Sequence, residues 1–113
     1  MKFEVINQCL VITVGKEIDH HSAETIREKA DDYISRNYVK SILFDFGKTE
    51  FMDSSGIGMI MGRYRQVKGI GGKVGIVNTN KNIDRIVLIS GLHRVVHTYD
   101  SFENAIKSLK EES

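Results

Sequence analysis

Apolar positions along the chain follow two periods, and the changes between them mark out the elements. Met1 to Ile6 reads as a short strand, Asn7-Gln8 as a turn, and Cys9-Leu10-Val11-Ile12-Thr13-Val14 as a second strand rich in β-branched residues. So short a connection predicts an antiparallel hairpin. After Gly15–His21, with Asp19 or Ser22 as cap, Ala23, Ile26, Ala30, Tyr33 and Ile34 recur at helical spacing among charged neighbours. Ser41-Ile42-Leu43-Phe44-Asp45-Phe46 is a nearly continuous apolar run, as expected of a strand covered on both faces.

A second amphipathic helix opens after Asp53, with Ile57, Ile60, Met61, Tyr64 and Val67 as its apolar stripe. Gly58 and Gly62 lie inside it, each costing about 1 kcal/mol against alanine. Their presence predicts packing on the sheet or contact with a partner. Gly69-Ile70-Gly71-Gly72 ends that helix, and Lys73–Val77 is the next strand. Asn78-Thr79-Asn80 offers caps for a helix striped by Ile83, Ile86, Val87 and Ile89, which Gly91 stops. Val95–Tyr99 is a last strand. Asp100-Ser101-Phe102-Glu103 resembles a capping box, followed by Phe102, Ala105, Ile106 and Leu109 on one helical face and a polar tail from Lys110. The order β-β-α-β-α-β-α-β-α predicts an α/β fold with a mostly parallel central sheet.

Composition narrows the functional classes. The 113 residues suit a single domain spanning 1–113, with 41% apolar and 27% charged residues. A net charge of +1, from 16 basic and 15 acidic residues, offers no excess to neutralise a phosphate backbone, which argues against a direct nucleic-acid partner. The single cysteine, Cys9, sits in an apolar run and reads as a buried thiol of a reducing compartment. Met1-Lys2-Phe3-Glu4 lacks the apolar core of a signal peptide, and no apolar run approaches the ~20 residues that span a bilayer. The expectation is a cytoplasmic protein with no membrane partner.

One stretch gathers residues suited to chemistry: Phe51-Met52-Asp53-Ser54-Ser55-Gly56-Ile57-Gly58, where a strand meets a helix N-terminus. A Walker or dinucleotide loop needs glycines or a lysine that this turn lacks, and Gly69-Ile70-Gly71-Gly72 runs from helix to strand, the wrong order. A nucleophile elbow needs Gly-x-Ser-x-Gly and a base near Ser54, from His20, His21, His93 or His97; the pattern is absent. His93 and His97 lack the glutamate of a zinc motif, so no metal ligand and no cofactor is assigned. Asp53 is a good N-cap. A phosphate on Ser54 would meet the positive end of a helix dipole and free N–H groups, which suits a switch that leaves the fold intact.

Glu17-Ile18-Asp19-His20-His21-Ser22-Ala23-Glu24-Thr25, the Asp53-Ser54-Ser55-Gly56 turn, Gly62-Arg63-Tyr64, Ile70-Gly71-Gly72 and Ser90-Gly91-Leu92 together resemble the STAS domain family. Within it they are most similar to the sporulation branch, the antagonists of the anti-sigma F factor. The resemblance covers nearly the whole chain. It implies the STAS fold, with helices mainly on one face of the sheet, and a regulator that is not an enzyme. The unphosphorylated protein would bind the anti-sigma F factor, a serine kinase, and free sigma F. That kinase would phosphorylate Ser54, and a serine phosphatase would reset it. Asp19, His20 and His21 fall on a loop beside the phosphorylation turn, and with Asp53, Ser55, Gly56, Ile57 and Gly58 they form the expected partner surface. Gly56 and Gly58 are expected to let the partner's backbone approach and bury the Ser54 hydroxyl in the complex. The alternatives are a STAS adaptor of another stress or signalling pathway, or an enzyme with Ser54 as nucleophile.

Overall fold

The computed structural model describes residues 1–36 and 38–111. Five strands form the main sheet: β1 (Lys2–Ile6), β2 (Cys9–Thr13), β4 (Ser41–Asp45), β6 (Val74–Val77) and β7 (Val96–Tyr99). They lie in the order β1-β2-β4-β6-β7; β1 and β2 are antiparallel, and every other pair is parallel. The hairpin turn places Asn7 at φ 50° and Gln8 at φ 66°. Two successive left-handed residues match the right-handed twist of the flanking strands, so the two-residue loop closes without splaying them. The expected α/β order and mostly parallel sheet are the ones observed.

Among the described residues four α-helices cover the sheet: α1 (His20–Arg36), α2 (Ser54–Lys68), α3 (Lys81–Ser90) and α4 (Phe102–Glu111). Alternation along the strands splits the core. Leu10, Ile12, Ile42, Phe44, Val74 and Ile76 face α1, α2 and α3, meeting Ile26, Ile60 and Ile83. Cys9, Val11, Leu43 and Val77 face the other way, onto Ala105 and Leu109 of α4. Both strand faces are therefore buried, which is why these runs read as continuous rather than alternating. Cys9 is buried as expected, and loss of hydration pushes its thiol pKa up to about 12. No helix among the described residues is long and apolar enough to cross a membrane.

Two elements of two residues each were not legible in the pattern: β3 (Glu17–Ile18) and β5 (Phe51–Met52), which pair in parallel as a separate small sheet. The capping of α1 and α4 is also more definite than expected. Asp19 and Ser22 cap α1 reciprocally: the Ser22 N–H donates to Asp19 Oδ1 and the Asp19 N–H to Ser22 Oγ, each at 2.9 Å. At α4 the cap is Ser101, whose Oγ accepts from the Asn104 N–H at 3.1 Å; Asn104, not Glu103, is the residue that closes the turn. The polar tail expected from Lys110 is still helical to Glu111, and Glu112 and Ser113 lie outside the described residues.

Candidate functional site

The small sheet builds the site. Pairing of Ile18 with Met52 sets the Asp19 turn beside the Asp53 turn, and the Asp53 N–H donates to the Ile18 carbonyl at 3.0 Å. The strap is anchored on both sides. Thr49, buried at 1% exposure, donates from Oγ1 to the Gly15 carbonyl at 2.8 Å. From α3, Asn80 Nδ2 donates to the Thr49 carbonyl at 2.8 Å and Asn82 Nδ2 to the Glu50 carbonyl at 2.7 Å. Two loops distant in sequence are thus held together by backbone acceptors that no local pattern announces.

Asp53 caps α2. Its backbone is extended, and Oδ1 accepts from the Ser55 N–H at 2.8 Å and from the Gly56 N–H at 3.4 Å. Replacing Asp53 with alanine removes both bonds and is expected to cost about 1 kcal/mol, read as a lowered urea midpoint with unchanged slope. The cap also corrects one expectation. Two of the N–H groups foreseen as free for a phosphate are held by Asp53, so a charge on Ser54 would meet the helix dipole together with the neighbouring carboxylate.

Ser54 is the first residue of α2 and is exposed. It lies with Asp53 and Ile57 in a groove of about 270 Å³ between α2 and α3, whose far wall includes Arg85, Ile86 and Ile89. Ser55 points the other way. With His20 and Gly58 it lines a second groove of about 300 Å³, between α1 and α2. The expected surface is therefore a ridge, the start of α2, with a groove on each side. His21 is exposed on the first turn of α1 and lines neither groove. Asp19 is exposed, and hydrogen bonds from the Ser22 backbone and side chain hold its carboxyl below the ordinary range.

Gly56 does not have the role foreseen for it. It is buried, and a Cβ there would stand 3.0 Å from Ile18 Cγ2 and 3.1 Å from Met52 Cβ. Its missing side chain admits the small sheet, not a partner. Gly58 and Gly62 differ: a Cβ on either meets nothing within 4 Å. Neither packs on the sheet, so the first of the two explanations for glycine inside α2, close packing there, does not hold.

The placement of two groups of residues was not foreseen. Leu88 and Ile89 are 62% and 77% exposed, although Ile89 was assigned to the buried stripe of α3. Their signal was present: Ile83, Ile86, Val87, Leu88 and Ile89 are too many apolar residues in one short stretch for a single helical face. Arg63 is the other. It is buried at 7% exposure on the inner side of α2, one turn after the buried Met59.

No histidine lines the groove that holds Ser54. The family described as STAS domain matches residues 1–105. The chain belongs to the STAS domain family. It is 33% identical over 101 residues to the anti-sigma F factor antagonist of Paenibacillus polymyxa, covering 89% of this chain and 86% of that one. The structure of the Bacillus cell fate determinant SpoIIAA in its phosphorylated form superposes with a TM-score of 0.75 at 31% identity, covering 95% of this STAS chain and 96% of that chain. The anti-sigma-B factor antagonist of Bacillus subtilis (strain 168) is 26% identical, covering 85% of this chain and 86% of its own. The fold foreseen for this family, helices mainly on one sheet face, is present: α1, α2 and α3 share one face and α4 takes the other.

Proposed function

We propose that this STAS domain is an anti-anti-sigma factor. In its unphosphorylated form it binds the anti-sigma F factor, a serine kinase, and releases sigma F to start forespore transcription. Phosphorylation of Ser54 by that kinase breaks the complex, and a serine phosphatase restores it. The observation that supports this reading most is the placing of Ser54: exposed, first in α2, and bordered by the apolar side chains Ile57, Ile86 and Ile89. The kinase active site and the docking surface then address the same few residues. A surface that small proteins leave exposed at such apolar density marks a place where another chain sits.

Charge explains the switch. A phosphoserine adds about −1.5 to −2 charges at pH 7. Here it would stand beside the Asp53 carboxylate and within an apolar groove, where a partner would have to strip it of water. The helix dipole and Arg85 on the opposite groove wall offset part of that charge inside the domain, so the fold survives while the interface does not. The domain is then substrate and ligand, with no catalytic group of its own, and needs no cofactor.

Gly58 supplies the test of the surface. Gly58→Gln adds a good helix former where nothing stands within 4 Å, so thermal stability is expected to hold or rise by up to about 1 kcal/mol. Affinity for the anti-sigma kinase, measured by calorimetry, is expected to fall at least tenfold, roughly 1.4 kcal/mol. Undiminished affinity would move the interface away from the start of α2. A second reading is a STAS adaptor of a stress pathway, favoured by the likeness to the anti-sigma-B factor antagonist. Parallel titrations against a sporulation and a stress anti-sigma kinase separate the two.

A further inference from the structure

Arg63 presents a buried charge that the fold satisfies only in part. Its side chain is 9% exposed, and neither Nε nor Nη1 has a hydrogen-bond partner among the described residues. Asp31 is the nearest acid, with Oδ1 4.0 Å from Nη1, beyond hydrogen-bonding range. That carboxylate is already engaged: Gln66 Nε2 donates to Oδ1 at 3.2 Å and Arg27 Nη1 to Oδ2 at 3.5 Å. Glu24, in turn, is held by Arg27. A guanidinium taken out of water without hydrogen-bonded acceptors is costly, so a further acceptor at this place would be favoured. Burial lowers the pKa of Arg63, Asp31 opposes that and Arg27 adds to it, but an arginine stays charged throughout the physiological range.

The buried guanidinium lines the groove between α1 and α2. Gly58 and Gly62 are one turn apart on the α2 side, and the absence of their side chains holds the groove open. That opening is maintained against helix propensity, at about 1 kcal/mol for each glycine. Arg27, Ser55 and His20 add hydrogen-bond donors to walls that also carry the apolar Ala23 and Met59, and the one acid there, Glu24, is already bound to Arg27.

We propose that this groove is a binding site for a single oxyanion, a phosphate or carboxylate group, received by the Arg63 guanidinium. The planar fork of arginine fits two oxygens of either group, and the desolvated setting strengthens such charge-assisted bonds. A cation is opposed by Arg63 and Arg27, and an apolar ligand would bring the guanidinium no acceptor. This site is separate from the Ser54 groove across the α2 ridge and does not depend on which sigma pathway the domain serves.

The test is ¹⁵N nuclear magnetic resonance of the full chain, following the Arg63 Nε–Hε signal and the Gly58 and Gly62 amides. Sodium phosphate, sodium acetate and sodium chloride are titrated separately at matched ionic strength. Saturable shifts of these signals with phosphate or acetate, and none with chloride, are expected; the anion that saturates at the lower concentration identifies phosphate or carboxylate as the natural group. Gly62→Leu adds a side chain at the mouth, where a Cβ meets nothing within 4 Å, and leaves Arg63 in place. Its spectrum reports whether the fold is kept, and at least tenfold weaker anion binding is expected. An Arg63 signal unmoved by both oxyanions, equal shifts with chloride, or undiminished shifts in a folded Gly62→Leu protein would overturn the assignment.

Discussion

A Ser54→Ala protein is expected to fold normally, to bind the anti-sigma kinase as the parent does, and to take up no phosphate from that kinase and ATP. The Ser54 hydroxyl is exposed and makes no hydrogen bond among the described residues, so its removal belongs with surface changes that move stability by no more than about 0.5 kcal/mol. Thermal unfolding, calorimetric titration and intact mass after incubation with ATP read the three properties separately. Ser54→Asp is expected to weaken the complex, and full phosphorylation to weaken it further, by about a hundredfold or roughly 2.8 kcal/mol. The difference follows from charge: aspartate adds one negative group to a ridge that already carries Asp53, and a phosphoserine adds nearly two. Ser55 provides the control. It faces the α1 groove, with its N–H on the Asp53 cap. Phosphate uptake that survives in Ser54→Ala and disappears in Ser55→Ala would assign the acceptor to the other side of the ridge.

Gly72→Ala is expected to be the most destabilising of the single substitutions considered, although it adds one carbon far from the site. A Cβ at Gly72 would stand 1.6 Å from the Lys40 carbonyl oxygen, 2.7 Å from its carbon and 3.1 Å from Val67 Cβ. The first two are backbone atoms and cannot turn aside as a side chain would. The segment carrying them enters β4, whose Ile42 N–H donates to the Lys73 carbonyl at 3.0 Å, and the Gly72 N–H itself donates to Val67 at 2.8 Å. Relief of the clash must therefore shift either the start of the β4–β6 pairing or the end of α2. Overpacking of this kind costs 1–3 kcal/mol when side chains yield; with backbone opposed, about 3 kcal/mol or more is expected. For a domain of this size that corresponds to a fall of roughly 10–20 °C in Tm. A Tm within a few degrees of the parent would mean that the α2–β6 turn is free to move away from Lys40.

The same glycine shows where sequence reading stops. Gly69-Ile70-Gly71-Gly72 was legible as the end of a helix, but the close approach of Lys40 at Gly72 joins segments that no local window contains. The start of α2 shows a parallel division. Asp53 as cap and Ser54 as the first helical residue follow from residue type and position, because capping is a local hydrogen-bond problem. That Gly56 faces inward and Gly58 outward does not follow from composition. It depends on the rotation of α2 about its axis, which packing of Met59, Ile60 and Val67 sets.

The sequence by itself determined the layers: buried strands in apolar runs, four amphipathic helices, and the turn at which α2 begins. These arise from periods of two and 3.6 residues and from the needs of chain ends, all of which act over a few positions. Only the tertiary structure decided that β3 pairs with β5 and so sets Asp19 beside Asp53. It alone placed Ser54 and Ser55 in different grooves, turned Leu88 and Ile89 outward, and enclosed Arg63 between two helices. The physical reason is common to all of these. Each is a relation between segments distant along the chain, set by backbone pairing and by the fit of helix against sheet, and such relations leave no periodic trace in either partner.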